Sequence, residues 1–270
     1  MNRLFLPFSY LFYSRLSAKS EKISWVIIYV IPVLFFSAVV SSMGTLQTLG
    51  IALLAMVGYV SLYEIGYLQN DLTTTEKEKE PTNRIRAGDH DFFTRQFGKL
   101  IWIRYFYVFS VLLILIVLSW YELDLYIFQN ASTLLVSRIA FVLHNRWRDR
   151  RNIITFAFLQ ATKYLALPLL FVSACGSVWA VATLLLIYPI VRTMEYASSE
   201  KFQFSSYQAL IGSHDTFRVK YYFLLFIVSI CLFFFPGSSE ENRIIVVATV
   251  YFFLFRITAW LLVKKGIYQR

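Results

Sequence analysis

Chemically active side chains are densest in the stretch that follows Tyr67, where Asn70, Asp71, Thr74, Thr75, Glu76, Glu78 and Glu80 crowd together, with Pro81, Arg84, Arg86 and Gly88 close behind. On a helix, Asn70, Thr74 and Glu78 share one face, as do Asp71, Thr75 and Glu78. Oxygen side chains stacked over two turns suit a hard cation such as Mg²⁺, with waters and phosphate oxygens completing its shell. Arg84 and Arg86 follow at a distance from which they could make charge-assisted contacts to those phosphates. The alternating Glu-Lys run at 76–80 is equally the pattern of a solvated face. What favours chemistry is the Asn-Asp pair at the end of an apolar segment, where such groups are expensive without a task.

Other polar groups stand out against apolar surroundings. Arg138 and Lys163 lie inside apolar segments, where a charge costs a few kcal/mol unless it meets a polar cavity. Snorkelling to the headgroups suits Arg138 better than Lys163, which lies ten residues into its segment. The arginines at 146, 148, 150 and 151 read as ordinary loop charges or headgroup contacts, and His144 as a structural interfacial histidine. Glu64, six residues before Asn70, could face a cavity. Tyr188, Arg192 and Glu195 share a helical face, and Glu200 follows. Tyr59, Tyr63 and Tyr67 recur at helical spacing, which first of all means packing.

The elements that carry these groups are set by composition. The 270 residues are 58% hydrophobic and only 16% charged, with 26 Phe and 18 Tyr. A soluble domain of this size exposes too much surface to hide that much apolar area. Disorder is excluded by the same figures, and Cys175 and Cys231 offer neither a disulfide framework nor a metal spacing. Segments approaching the ~20 residues needed to cross a bilayer occur eight times: 23–40, 46–68, 100–119, 125–143, 153–173, 178–191, 221–235 and 244–263. The fourth is interrupted by Gln129, Asn130, Ser132, Thr133, Ser137 and Arg138, which must face other helices or a cavity. The sequon Asn130-Ala-Ser132 inside that segment is an accidental match. The sequence predicts an all-α, polytopic transmembrane helix bundle of about eight spans, residues 23–270 forming one domain. Residues 1–22 read as an amphipathic interfacial segment, or as an extension packed against the bundle. No cleavable signal peptide and no inverted repeat of the transporter kind are expected.

The net charge of +10 is a matter of topology rather than of nucleic-acid binding. Of 26 Lys and Arg residues, 21 fall on one side: four in the N-terminal stretch, six in 69–99, four in 144–152, four in 192–220 and three in the tail. The opposite connections carry only Arg243. This asymmetry puts both termini in the cytoplasm, in the inner membrane if the source is prokaryotic. Eleven of the 16 acidic residues share that side.

On these residues the chain resembles the UbiA superfamily of intramembrane prenyltransferases, whose bundles carry an Asn-Asp-x-x-Asp-x-x-x-Asp motif after the second span. Asn70 and Asp71 match its start, Glu78 its last acidic position, and Pro81, Arg84 and Gly88 its tail; Thr74 replaces the middle acid. The place of the second motif, after the sixth span, is taken by Glu195 and Glu200, glutamates where the family has aspartates. The family usually has nine spans. The resemblance implies Mg²⁺-dependent transfer of a prenyl group from a polyprenyl diphosphate, with membrane lipids as the other partners and no nucleic acid. It implies metal ligands at Asn70, Asp71, Glu78, Glu195 and Glu200, and a diphosphate grip by Arg84, Arg86, Arg138, Lys163 and Arg192. Asp71 and Lys163 would carry the catalysis, and Glu64, Tyr67 and Tyr188 would line the cavity around an isoprenoid tail. Transfer of a sugar phosphate to a polyprenyl phosphate, or lipid binding without catalysis, are the alternatives on the same fold.

Overall fold

A computed structural model describes residues 2–74, 84–121, 123–147, 149–173, 177–234 and 240–266, which form helices and no strand. They divide into two compact units, Met1–Ser177 and Val178–Arg270. Six helical stretches are long and apolar enough to cross a membrane: Lys19–Val40, Thr45–Thr74, His90–Trp120, Val178–Ala197, His214–Phe234 and Glu240–Lys264. This is the pattern of an integral membrane protein.

In the first unit, a short helix α1 (Ser9–Ser14) precedes α2 (Lys19–Trp25), which runs through a π turn at Val26–Val30 into α3 (Ile31–Val40). Then come α4 (Thr45–Gln69), α5 (His90–Trp120), α6 (Ile127–Arg146) and α7 (Asn152–Leu165). The last two stand where the sequence predicts the fourth and fifth spans. α6 has the length but is too polar, and the 14 residues of α7 reach only about 21 Å, short of a ~30 Å hydrocarbon core. Pro168 closes that run in a 3₁₀ turn.

Burial singles out α4 as the axis of this unit: 72% of its most apolar stretch is inside, against 28% for α5. α5 turns Trp102, Phe106 and Phe109 outward, a surface suited to lipid. Gly66 permits the closest approach to α4. A Cβ there would stand 2.3 Å from Cδ1 of Phe141, so α6 can seat its aromatic ring only against a glycine.

Several polar residues of α6 find protein partners, as lipid could supply none, while the Ser137 hydroxyl is buried with none among the described residues. Asn130 donates to the Ala166 carbonyl at 2.7 Å, Asn145 to the Gly66 carbonyl at 3.2 Å, and Thr133 to the Gln129 carbonyl of its own helix at 2.8 Å. Prolines pose the complementary problem of freed carbonyls. Pro32 has no N–H for the Ile28 carbonyl, and the hydroxyl of Tyr164 donates to that oxygen instead.

The N-terminal segment lies against α4 and α5 rather than apart from them. Its anchor is a pair inside the bundle, Arg104 Nε donating to Glu64 Oε2 at 2.6 Å with both side chains fully buried. The other Arg104 nitrogens reach the carbonyls of Leu4 (2.7 Å) and Phe5 (3.1 Å) and Oγ of Ser9 (3.1 Å). The Leu11 backbone N–H donates to Glu64 Oε1 at 2.8 Å. Tyr10, Leu68, Phe93 and Leu100 pack into a buried cluster.

The second unit contains α8 (Val178–Leu185), a π turn at Leu186–Ile190, α9 (Val191–Ala197), α10 (Ser205–Ile211), α11 (His214–Phe234) and α12 (Glu240–Lys264). Here a proline, Pro189, sits inside the π turn itself, where it has no N–H for the Leu185 carbonyl, and tyrosine hydroxyls donate to the next two carbonyls: Tyr221 to Leu186 and Tyr222 to Ile187. α11 and α12 pair along their length.

Breaking a buried ion pair on one side leaves a bare charge, at a cost of about 3–5 kcal/mol. Glu64→Ala or Arg104→Ala should therefore lower the unfolding midpoint of the solubilised protein sharply, and Glu64→Leu with Arg104→Met should recover much of the loss. Gly66→Ala should cost about 1–3 kcal/mol from overpacking, relieved by Phe141→Leu; an unchanged midpoint would contradict the close α4–α6 contact.

Candidate functional site

The site is built where α4 ends. Past Gln69 the helix loosens into a π turn, Asn70–Thr74, and carries Asp71 inward until its side chain is 1% exposed. A carboxylate so enclosed needs donors, and the N-terminal segment supplies two. Tyr10 OH donates to Oδ2 at 2.8 Å and Arg15 Nη2 to Oδ1 at 2.8 Å. Asn70 Nδ2 adds a longer contact to Oδ1 at 3.2 Å. Thr74 folds back on its own turn, its hydroxyl donating to the Asn70 carbonyl at 2.7 Å and lying 3.1 Å from Asn70 Oδ1.

Arg15 is held on two sides. Its guanidinium lies over the Tyr67 ring, 4.6 Å from the centroid, while Nη2 is engaged by Asp71. The remaining terminal nitrogen, Nη1, is buried and has no hydrogen-bond partner among the described residues. Below it the tyrosines of α4 descend as a stack, Tyr63 to Tyr67 at 5.8 Å and Tyr59 to Tyr63 at 4.9 Å, with the Phe141 ring edge-on to Tyr63. Tyr63 donates to the Leu159 carbonyl of α7. Tyr29 joins this wall, its hydroxyl likewise buried without a partner among the described residues, and Lys163 Nζ lies 4.6 Å from the centre of its ring.

The rim is basic and aromatic. Arg138 donates to Gln69 Oε1 at 2.8 Å and to Tyr105 OH at 3.1 Å. Arg86 lies over the ring of Tyr13 at 5.5 Å, and its backbone N–H donates to that tyrosine's hydroxyl, which in turn donates to Asp89 at 2.6 Å. Arg84 is exposed. Burial and, after it, the neighbouring Asp71 charge push the Tyr10 phenol well above its ordinary pKa, and burial with the Asp89 contact raises Tyr13. Both therefore remain donors at neutral pH.

No known protein family, curated protein or solved structure matches this chain. What the site can do is read from its own groups.

The structure thus gathers Asn70, Asp71, Tyr67, Arg86 and Arg138 about one helix end, with Lys163 against the aromatic wall. Glu64 lies deeper, closed off by Arg104 and the Leu11 N–H rather than open to a cavity. Glu78 lies outside the described residues, as do Thr75, Glu76, Glu80 and Pro81. In the second unit, Glu195 is gripped by Arg218 through both oxygens and by Arg192, with Asp215 3.2 Å from Arg218. Glu200 is exposed, and Tyr188 is buried. Among the described residues no three His, Cys, Asp or Glu side chains cluster as metal ligands.

The donor set at Asp71 does not fit Mg²⁺ in this arrangement. A guanidinium nitrogen stands 2.8 Å from one carboxylate oxygen, where a cation would coordinate, and a phenol holds the other. Positive charge at Asp71 is supplied by Arg15.

Sequence reasoning passes over Tyr10, Tyr13, Arg15 and Arg104. One signal was available: Glu64 and Arg104 are an acid and a base inside neighbouring apolar segments, and such groups pair with one another. Arg15 and Tyr10 carry no comparable mark, because an amphipathic segment on the membrane surface would show the same residues.

Tyr10→Phe removes a hydrogen bond to a charged group, a loss of about 1.5–3 kcal/mol. A phenol whose pKa is raised on folding stabilises fully below its unfolded value, so the difference from wild type should hold from neutral pH to about pH 10 and shrink above it. A difference that instead vanished between pH 7 and 9 would contradict the Tyr10–Asp71 bond.

Proposed function

We propose that this protein is an intramembrane prenyltransferase of the UbiA type, with both termini cytoplasmic, that holds a polyprenyl diphosphate at the Asp71 end of α4. The supporting observation is Arg15: fixed by Asp71 and Tyr67, it keeps a buried Nη1, without a hydrogen-bond partner among the described residues, at the top of a tyrosine-lined wall. An arginine has donors on several nitrogens, so a diphosphate oxygen can take Nη1 while Nη2 stays on Asp71. Asp71 acts in this scheme by positioning Arg15, with Arg86 and Arg138 at the rim for the remaining phosphate charge.

Transfer then requires that the prenyl C1–O bond break, the diphosphate leaving with the bonding electrons. Guanidinium groups aimed at that oxygen stabilise the growing negative charge. The acceptor's lone pair forms the new bond to C1 and its proton passes to solvent at the cap. Aromatic faces along the stack suit an allylic cation and exclude water from it.

One observation favours a second reading, isoprenoid-lipid binding without turnover: Asp71 and Glu195 are both neutralised by arginines, as in a structural core. Purified protein with a radiolabelled geranylgeranyl diphosphate and a membrane lipid extract as acceptor pool separates the two. The prenyltransferase reading expects diphosphate release, reduced at least tenfold by Arg15→Gln and by Asp71→Ala. Binding without release supports the scaffold, and absence of both defeats either reading.

A further inference from the structure

Among the described residues three arginines are buried: Arg104, Arg218 and Arg256. The first two meet carboxylates, Arg104 at Glu64 and Arg218 at Glu195 and Asp215. Arg256 does not. It lies eight residues before Lys264, the end of α12, hence about 12 Å along the helix from that terminus. Its side chain is 5% exposed, and Nε is buried without a hydrogen-bond partner. Among the described residues its guanidinium makes no hydrogen bond and no ion pair. Its contacts are the rings of Phe255, 5.1 Å away, and Tyr222, 5.8 Å away. Tyr222 is stacked on Phe252 (5.5 Å, 16° between planes) and has its hydroxyl committed to the Ile187 carbonyl.

A charge within an apolar span is costly unless it meets a counter-charge or a polar cavity, and aromatic faces compensate only part of that cost. The other two buried arginines, Arg104 and Arg218, meet that cost with carboxylates. At Arg256 no described carboxylate does so, which leaves the guanidinium open to a counter-charge from outside them. The edge of a guanidinium presents paired N–H donors that match two oxygens of one oxyanion. The walls around it, Tyr222, Phe252 and Phe255, are rings suited to hydrocarbon.

We infer that Arg256 anchors a second site, in the unit Val178–Arg270, for the oxyanion head of an apolar-tailed amphiphile. The head is a phosphate or a carboxylate, and the ligand is separate from the diphosphate proposed at Asp71. The guanidinium takes two of its oxygens in a forked contact and the aromatic rings take the start of its chain.

The test is competitive loading of the purified full chain, in a neutral detergent and without any prenyl diphosphate. An equimolar mixture of dioleoyl phosphatidic acid, oleic acid and dioleoyl phosphatidylcholine is offered, and bound lipid is counted by native mass spectrometry. Wild type should retain an anionic lipid in preference to phosphatidylcholine; which one it keeps tells phosphate from carboxylate. Arg256→Gln should abolish the preference, and Arg256→Lys, which keeps the charge but loses the fork, should weaken it about tenfold, the equivalent of 1.4 kcal/mol. The inference is overturned if wild type shows no anionic preference or if Arg256→Gln retains it. Should the Gln variant not fold, an undiminished preference in Arg256→Lys overturns the forked contact. Because no diphosphate is present and the variants differ only at position 256, the preference lost on Arg256→Gln reads this site and not the one at Asp71.

Discussion

The first unit depends on one buried ion pair. Arg104 and Glu64 sit inside neighbouring helices where either charge alone would be costly, and each has more hydrogen-bonding capacity than the other can satisfy. The surplus is met by residues 4–11: two carbonyls and a hydroxyl take three of the four remaining arginine N–H donors, and one backbone N–H takes the second glutamate oxygen. The pair therefore recruits the N-terminal segment into the bundle. Once that segment is seated, Tyr10 and Arg15 arrive at Asp71 as a geometric consequence. The fold's anchor and the proposed site are thus parts of one polar network, and only about two turns of α4 separate Glu64 from Asp71.

A second theme is the repair of interrupted helices. Prolines at 32 and 189 free backbone carbonyls within apolar surroundings, and in both units tyrosine hydroxyls from another helix donate to carbonyls of the adjoining π turns. This gives part of the high tyrosine content a physical reason. The ring packs like any core aromatic, while the hydroxyl reaches backbone that lipid could not satisfy. The π turn at Asn70–Thr74 has no proline; its role is to turn Asp71 inward at a helix end. π turns within α-helices are frequent where side chains must be re-aimed for function.

Much of the helical layout was legible in the sequence, because apolar length is a strong signal: each of the eight predicted segments contains a helix. The combined signal falls short at α6 and α7, which are respectively too polar and too short to stand among the six long apolar helices. The importance of the Asn70–Asp71 pair was also legible from its position at a span end. Its partners were not. Arg15 and Tyr10 lie 56 and 61 residues away, and nothing in a short amphipathic stretch distinguishes a headgroup contact from a buried one. The expectation of a Mg²⁺ grip rested on counting oxygen ligands along one helix. It could not foresee a guanidinium, brought in by the Glu64–Arg104 clamp, on the same carboxylate.

The most direct measurement of the central claim is the equilibrium binding of a non-hydrolysable prenyl thiodiphosphate to the solubilised protein in excess EDTA. If Arg15 supplies the positive charge that grips the head, wild type binds without a divalent ion and Arg15→Gln binds at least tenfold more weakly, about 1.4 kcal/mol or more. Binding that appears only when Mg²⁺ is restored, or that is the same in Arg15→Gln as in wild type, would contradict it.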